Sequence, residues 1–356
     1  MLTSLGNHDI TLDEDFYSNY GSHFHNQYPQ DPADCIRILQ DGPSITYLRH
    51  ESKVIRLTRE GGPQTTFKVF GSPYSPARGL WAFSYLPNEA SSLWAKVPLD
   101  TDIVLTHTPP RYHCDESRDR GAAGCEDLRQ TLWRVRPRLA ICGHVHEGRG
   151  VQRVKWDLTS PNIRYKECGI SYWTDPGMNN KKQSYVNLSR KGGVPLMNHD
   201  TVEEDEDRKG DSQPDDKKHL RNTTAVPGSP FRPITELVDS STEGTKTSNL
   251  AGCRSSASWL SDHSSVYPTD MRDDVVANEI SGKSATSNST LTARAQGGTP
   301  LSARSDQEAL VGRVGRQETC VINAAIMASS WPHRSSGGKK YNKPIVVDLE
   351  LPVWNN

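Results

Sequence analysis

The sequence predicts an α/β layer fold in which one domain is interrupted by a long insertion. Residues 103–105 and 139–142 are short apolar runs that end near proline or glycine, as is typical of buried strands followed by loops. Between them, Leu128, Leu132 and Val135 recur at helical spacing. A strand, a helix and a second strand at this spacing indicate a layer of strands packed on helices.

Three further runs have the pattern of strands. Residues 66–70 alternate polar and apolar side chains over their first four positions, which favours a short strand. Residues 321–326 and 344–349 are rich in Val and Ile. Because a strand pair with little sequence around it must pack on something, we expect these C-terminal strands to rejoin the first part of the domain.

The middle of the chain has a different composition. Only four aromatic residues lie between positions 182 and 310, where Ser, Thr, Asp, Lys and Gly dominate. Such a segment buries little apolar surface and is typical of disorder. We therefore predict a first part of the domain at 1–184, a disordered low-complexity insertion at 185–308, and C-terminal strands at 309–356 that complete the same domain.

Composition excludes several classes of protein. The 42 Lys and Arg residues against 43 Asp and Glu give a formal net charge of −1, so a nucleic-acid partner or an anionic membrane surface is not expected. No apolar run approaches the length of about 18 residues that predicts a membrane span, and the N-terminus lacks the pattern of a signal peptide. Seven widely spaced cysteines without a Cys-x-x-Cys pair favour an intracellular, cytoplasmic location.

Three short motifs carry candidate chemistry. The first is Gly-Asn-His-Asp at residues 6–9, the second is Leu-Thr-His-Thr-Pro-Pro at 105–110, with His107 just after the strand-like run 103–105, and the third is Gly-His-Val-His at 143–146. Polar side chains at the C-terminal ends of strands collect at one edge of an α/β sheet. Each motif alone is weak, since Gly-Asn-His-Asp also suits a turn. The three together, in this order, indicate a site.

The residue types in these motifs suit a divalent cation. His144 and His146 are two positions apart in a loop and can both approach one small site as neutral nitrogen ligands. Asn7 offers a side-chain oxygen to a hard or borderline cation. The ring of His8, which follows directly, is expected to point elsewhere, near the metal without binding it.

These motifs resemble the later metal motifs of the calcineurin-like metallophosphoesterases. That family's usual order is Asp-x-His, Gly-Asp, Gly-Asn-His-Asp or -Glu, a histidine at a strand end, and Gly-His-x-His. Residues 71–74, 81–83, 124–128, 143–150 and 344–349 also resemble the small metallophosphoesterase-domain-containing branch, especially its fungal members. The similarity covers about residues 1–180 and 311–354. It implies two packed, mixed β-sheets flanked by helices.

The resemblance implies a role for each motif residue. Asn7, His107 and His144 would bind the second of two divalent ions (Mn²⁺, Fe²⁺ or Zn²⁺), and His146 would bind the first. Two such ions clamp the phosphoryl oxygens and hold a bridging hydroxide for in-line attack.

The catalytic roles follow from the same resemblance. His8 would act as a general acid near the leaving-group oxygen, and Asp9 would orient its ring. Arg111 and Arg149 flank the histidines and could hold a phosphate, although ordinary surface arginines are an equally good interpretation.

The chain begins at the third motif of the family. Asp-x-His, Gly-Asp and the first strand or strands are absent, and the literal Gly210-Asp211 lies in the predicted insertion, out of order. We therefore expect an N-terminally truncated gene model or isoform that binds fewer than two ions. Two functions stay open: a metal-dependent hydrolase, most simply a phosphodiesterase, of small phosphoesters, or a non-catalytic remnant that serves protein interaction or regulation.

Overall fold

The fold is built around a mixed β-sheet. The computed structural model describes residues 1–62, 64–118, 121–159, 165–198, 230–233, 315–328 and 340–353. The helices in these ranges are α1 (Glu14–Phe24), α2 (Pro32–Asp41), α3 (Ala90–Trp94) and α4 (Glu126–Val135), with 3-10 turns at Ile10–Leu12 and His146–Gly148. The strands are β1 (Leu2–Thr3), β2 (Thr46–Tyr47), β3 (Glu51–Leu57), β4 (Thr65–Ser72), β5 (Ser75–Pro76), β6 (Ser84–Tyr85), β7 (Ile103–Thr106), β8 (Glu116–Ser117), β9 (Gly121–Ala122), β10 (Leu139–Cys142), β11 (Gly150–Trp156), β12 (Glu167–Trp173), β13 (Ser184–Leu188), β14 (Phe231–Pro233), β15 (Glu318–Asn323) and β16 (Ile345–Leu349).

The main sheet has eight strands in the order β14-β12-β11-β15-β10-β7-β4-β3. Its four central strands, β15, β10, β7 and β4, run parallel, and the outer strands pair antiparallel. The strands predicted at 66–70, 103–105 and 139–142 are confirmed within β4, β7 and β10. The parallel strands therefore end at one edge of the sheet, where candidate site residues were expected.

The strand predicted at 321–326 is displaced toward the N-terminus and runs over Glu318–Asn323. The sequence pattern missed its start because Glu318 is charged. In the structure, the Glu318 carboxylate is buried and accepts a hydrogen bond of 2.6 Å from Arg153 on the neighbouring β11. That pairing lets a charged residue occupy a central strand, because a buried charge is tolerated when it is paired.

One face of the sheet packs on helices. The helix predicted around Leu128 and Leu132 is confirmed as α4, which ends where Arg136 adopts a left-handed conformation. Leu128 and Leu132 join Trp94 of α3 in a buried core with Val104 of the sheet. Burying side chains of this size provides most of the stabilisation of such a layer.

The opposite face carries a second, two-stranded sheet, so that the fold is a sandwich with flanking helices. β13 and β16 pair in parallel, with Val186 opposite Val347. Val186 and Leu188 pack on Leu139 and Ile322 of the main sheet. The predicted α+β sandwich is therefore present. Among the described helices, none is both long and apolar enough to cross a membrane.

The predicted start of the insertion at residue 185 is corrected by the structure. The strand Ser184–Leu188 lies across that boundary, and the side chain of Asn198 donates a hydrogen bond of 2.8 Å to the carbonyl oxygen of Glu318. β14 (Phe231–Pro233) also joins the edge of the main sheet. These short strands contain Tyr185 and Phe231, two of the four aromatic residues of the segment, but the average composition of the long segment did not reveal them. The rest of 185–308 lies outside the described residues, and its disorder stays a prediction.

The N-terminal ends of the four parallel strands meet at one buried carboxyl group. Asp102, just before β7, accepts hydrogen bonds from the backbone N–H of Lys68 in β4 at 2.8 Å and from the guanidinium of Arg316 before β15. Its backbone oxygen accepts from the N–H of Arg138, just before β10, at 2.8 Å. Asp102 and Arg316 are both buried, so each charge depends on the other.

We expect Asp102→Asn to lower the free energy of unfolding by about 3–5 kcal/mol, because it removes the buried negative charge that the Arg316 guanidinium contacts. The matched control is Asp100→Asn, whose carboxylate pairs with Lys68 but is 57% exposed. That substitution should cost less than about 1 kcal/mol, as exposed ion pairs do. Urea unfolding of the two variants measures both values. Equal losses would mean that Asp102 does not hold the strands.

Candidate active site

The three sequence motifs meet at the C-terminal edge of the parallel strands. His107 follows β7, and its backbone N–H donates to the carbonyl oxygen of Ser72 at the end of β4, at 3.0 Å. Gly143 follows β10, and its N–H donates to the carbonyl oxygen of His107 at 3.0 Å. β1 leads into the Gly-Asn-His-Asp segment beside them. Adjacent strand ends therefore place residues from distant parts of the chain side by side.

Three predicted metal ligands converge in space. The Asn7 Oδ1 atom lies 2.8 Å from Nε2 of His107, and the same nitrogen lies 3.1 Å from Nδ1 of His144. Two donors bound to one ion at about 2.1 Å and at right angles to each other are about 3 Å apart. The spacing of these atoms therefore suits ligands of one cation.

Burial keeps His107 in its neutral form. Desolvation, together with the smaller effects of the neighbouring His144, His8 and His146, lowers the pKa of His107 to about 3. A neutral imidazole at physiological pH has a lone pair for a cation, since protonation would occupy it. His146 is thus close enough to His107 to affect its pKa. It is the first residue of the 3-10 turn after β10.

The loop after β10 is held by a residue that the sequence did not single out. Asn323, at the end of β15, is fully buried, and its side-chain nitrogen donates to the carbonyl oxygens of Val145 at 2.7 Å and Cys114 at 2.9 Å. His144 has φ of 62°, in the left-handed region that non-glycine residues seldom adopt. Such conformations persist where surrounding contacts impose them, and Asn323 supplies such contacts here.

His8 stands beside this cluster rather than in it. Its ring packs on the indole of Trp81, with the ring centroids 4.0 Å apart and the planes inclined at 48°. Partial burial lowers the pKa of His8, opposed by the Asp9 carboxylate and reinforced by His146. The expectation that His8 lies near the metal without binding it stays a prediction.

The structure gives Asp9 a different contact from the predicted one. Its Oδ2 atom accepts a hydrogen bond of 2.8 Å from the backbone N–H of Gly6, which closes the turn. The ring contact of His8 comes from Trp81 instead. The only sequence signal for Trp81 was its place in residues 81–83, which resembled the family without suggesting a role.

The structure gives each predicted phosphate-binding arginine a contact within the protein, and phosphate binding stays a prediction. The Arg149 guanidinium binds the Asp175 carboxylate at 3.0 Å, the Ser184 hydroxyl at 3.3 Å and the carbonyl oxygen of Lys343 at 2.8 Å. Its role is to join the C-terminal segment to the second sheet. The Arg111 guanidinium lies 5.1 Å from the ring centroid of Tyr112 at the surface.

The cluster supplies neutral donors. Within the described parts of the chain, no group of three or more His, Cys, Asp and Glu side chains has the arrangement of a metal site. The third donor of the convergent set is instead the amide of Asn7. The donors fit one cation, and they lack the bridging carboxylate that would hold two like-charged ions together.

Comparisons with known proteins agree with the sequence resemblance at a coarse level. No family model matches the chain. A UPF0046 protein of Caenorhabditis elegans is 34% identical over 154 residues, which is 42% of this chain and 47% of that protein. Metallophosphoesterase domain-containing protein 1 of Homo sapiens is 29% identical over 175 residues, which is 47% of this chain and 50% of that protein. The chain is related to metallophosphoesterase domain-containing proteins.

A further relative extends this comparison. A probable rhamnogalacturonate lyase C of Emericella nidulans is 38% identical over 170 residues, 47% of this chain but 14% of that protein. Its lyase name is therefore not carried over to the shared region. The chain spans about half or less of the length of these curated relatives. The fungal branch and the N-terminal truncation stay predictions.

The packing of Gly6 against His107 generates a test of the site. A Cβ atom at residue 6 would lie 2.4 Å from Cε1 of His107, whereas one at Gly143 would meet nothing within 4 Å. We expect Gly6→Ala to cost about 1–3 kcal/mol of unfolding free energy through overpacking, and to shift the ring resonances of His107. Gly143→Ala, the matched control, should change neither. Thermal unfolding and NMR of the two variants measure this, and equal effects would contradict the close packing.

Proposed function

We propose that this protein is a metal-dependent phosphoester hydrolase in which Asn7, His107 and His144 hold one divalent cation. The convergence of their donor atoms within 2.8 and 3.1 Å carries the proposal. Imidazole nitrogen with an amide oxygen suits borderline ions such as Mn²⁺, Fe²⁺ or Zn²⁺. The relation to metallophosphoesterase domain-containing proteins supports the reaction class.

A bound cation at this position would supply Lewis-acid polarisation of a phosphoryl oxygen and a water of lowered pKa. The residues of the chain provide the rest. His8, in its protonated form, donates a proton to the departing oxygen of the ester. His107 stays neutral, because burial and the neighbouring histidines hold its pKa far below physiological pH.

A dinuclear centre with a bridging hydroxide is the fuller form of this proposal. His146 is the proposed ligand of the other ion, and carboxylates from an Asp-x-His and a Gly-Asp motif would complete that site. We propose a small phosphodiester as substrate, in an intracellular and cytoplasmic setting, without nucleic acid or membrane as partner. No contact among the described residues favours the alternative of a non-catalytic interaction protein.

The metal content of purified protein tests the ligand assignment. After dialysis against Mn²⁺, we expect at most one tightly held ion per chain, because the described residues bring together three donors and place no bridging carboxylate beside them. His144→Ala should lose that ion, and His23→Ala, an exposed histidine of α1, should keep it. Elemental analysis gives the result. Full metal content in His144→Ala would contradict the assignment, and two ions per chain would contradict the single site.

Hydrolysis of phosphodiesters tests the reaction. We expect slow turnover by the chain as it stands and faster turnover once a segment carrying Asp-x-His and Gly-Asp precedes Met1. In that extended protein, His8→Ala should lower kcat by about 10²–10⁴-fold with metal content unchanged, as for loss of a general acid.

The leaving group provides the internal control for that experiment. Nitrophenyl esters need little protonation on departure, so the defect of His8→Ala should shrink for them and be largest for alkyl esters. If His8→Ala instead removes the metal, His8 is a ligand. If the extended, folded protein hydrolyses no phosphoester, the proposed reaction is wrong.

A further inference from the structure

A general acid must be held in place, and the described contacts show what holds His8. Catalytic groups act efficiently only when their position is restricted, and a displacement of about 1 Å can cost about 10²-fold in rate. The neighbouring Asp9 carboxylate accepts from the N–H of Gly6 through Oδ2. The ring contact of His8 is with Trp81, at 4.0 Å between centroids.

Trp81 is itself fixed by a second aromatic contact. Its indole packs on Phe24, near the end of α1, with the ring centroids 5.5 Å apart and the planes inclined at 42°. Aromatic pairs at such distances contribute about 0.5–1.5 kcal/mol beyond the area they bury. The three rings thus form a continuous row, with His8 at the site, Trp81 in the middle and Phe24 on the helix.

The backbone beside Trp81 is tied to the segment that carries His8. The N–H of Ala82 donates to the carbonyl oxygen of Asn7 at 3.2 Å. The N–H of Phe83 donates at 2.7 Å to the carboxylate of Asp13, which caps α1 by accepting from Phe16 through its other oxygen. These contacts fix the backbone next to Trp81 relative to the segment that carries His8.

We propose that Trp81 is a positioning residue that holds the imidazole of His8 beside the candidate metal ligands. Phe24 and the Asp13 cap hold Trp81 in turn, so α1 supports the site without contributing a reacting group. The catalytic consequence rests on the proposed function. The immobilisation of the ring does not, and the two are tested separately.

NMR of the full chain with labelled histidines tests the ring contact without any activity. Protons above an indole face are shielded, so the His8 ring protons should lie upfield of those of a free imidazole. His8→Asn assigns them. Trp81→Leu should return them to the free position, Trp81→Phe should retain part of the shift, and Leu80→Ala, a partly exposed neighbour, should leave them unchanged. Wild-type resonances already at the free position would overturn the proposal.

Kinetics of the extended protein test the consequence for catalysis. Trp81→Leu should lower kcat for alkyl phosphodiesters by about 10–10²-fold with KM and metal content unchanged, because only the placement of the acid is lost. Trp81→Phe should recover part of the rate. In the His8→Asn background, Trp81→Leu should add little, since residues that act as a unit are non-additive.

The outcomes separate the two proposals. The positioning role of Trp81 would be overturned if the kcat losses of His8→Asn and Trp81→Leu were fully additive. It would also be overturned if Trp81→Leu changed only KM or metal content. If every form of the protein is inactive, the proposed function fails. The shielding of the His8 protons and its loss in Trp81→Leu still decide whether the indole fixes the ring.

Discussion

Asp102 joins the N-terminal segments of the four parallel strands. It receives the N–H of Lys68 and the guanidinium of Arg316, while its backbone oxygen receives the N–H of Arg138. Strands rise about 3.3 Å per residue, and a slip of one residue turns every side chain to the other face. A slip of this size would exceed the 2.8 and 3.1 Å separations at the opposite edge of the sheet. The contacts of Asp102 at the N-terminal edge of the sheet therefore help to keep the site residues at the C-terminal edge in place.

At the C-terminal edge of the sheet, the same register brings the side chains of Asn7, His107 and His144 together. The imidazole nitrogen of His107 lies within hydrogen-bond distance of both Asn7 and His144. Such an arrangement is compatible with burial because His107 is neutral, its pKa being near 3. Imidazole nitrogen and amide oxygen are both ligand types that borderline divalent cations accept. Close packing on Gly6 leaves the ring no room to turn away.

Several residues around the cluster contact the segments that carry the candidate ligands and His8. Asn323 holds the loop that carries His144 and His146 through two backbone carbonyls. Trp81 supports His8 from the other side and connects it to α1. Arg149, by contrast, joins the second sheet to the C-terminal segment through Asp175 and Lys343. The charge of Arg149, which is near the histidines in sequence, therefore connects parts of the fold to each other.

The sequence by itself determined the elements whose causes are local. The helical spacing of Leu128 and Leu132 was enough to place α4, and apolar runs before proline or glycine located β7 and β10. Alternation of polar and apolar side chains located β4. The motifs also predicted the Asn7, His107 and His144 cluster, because parallel strands end at a common edge.

Tertiary structure decided the features that depend on partners far along the chain. β13 forms because Val186 meets Val347, and Glu318 enters a central strand because Arg153 neutralises it. The contact of His8 with Trp81 joins residues that no local pattern relates. In each case the stabilising partner lies many residues away, so neither periodicity nor composition near the residue carries the information.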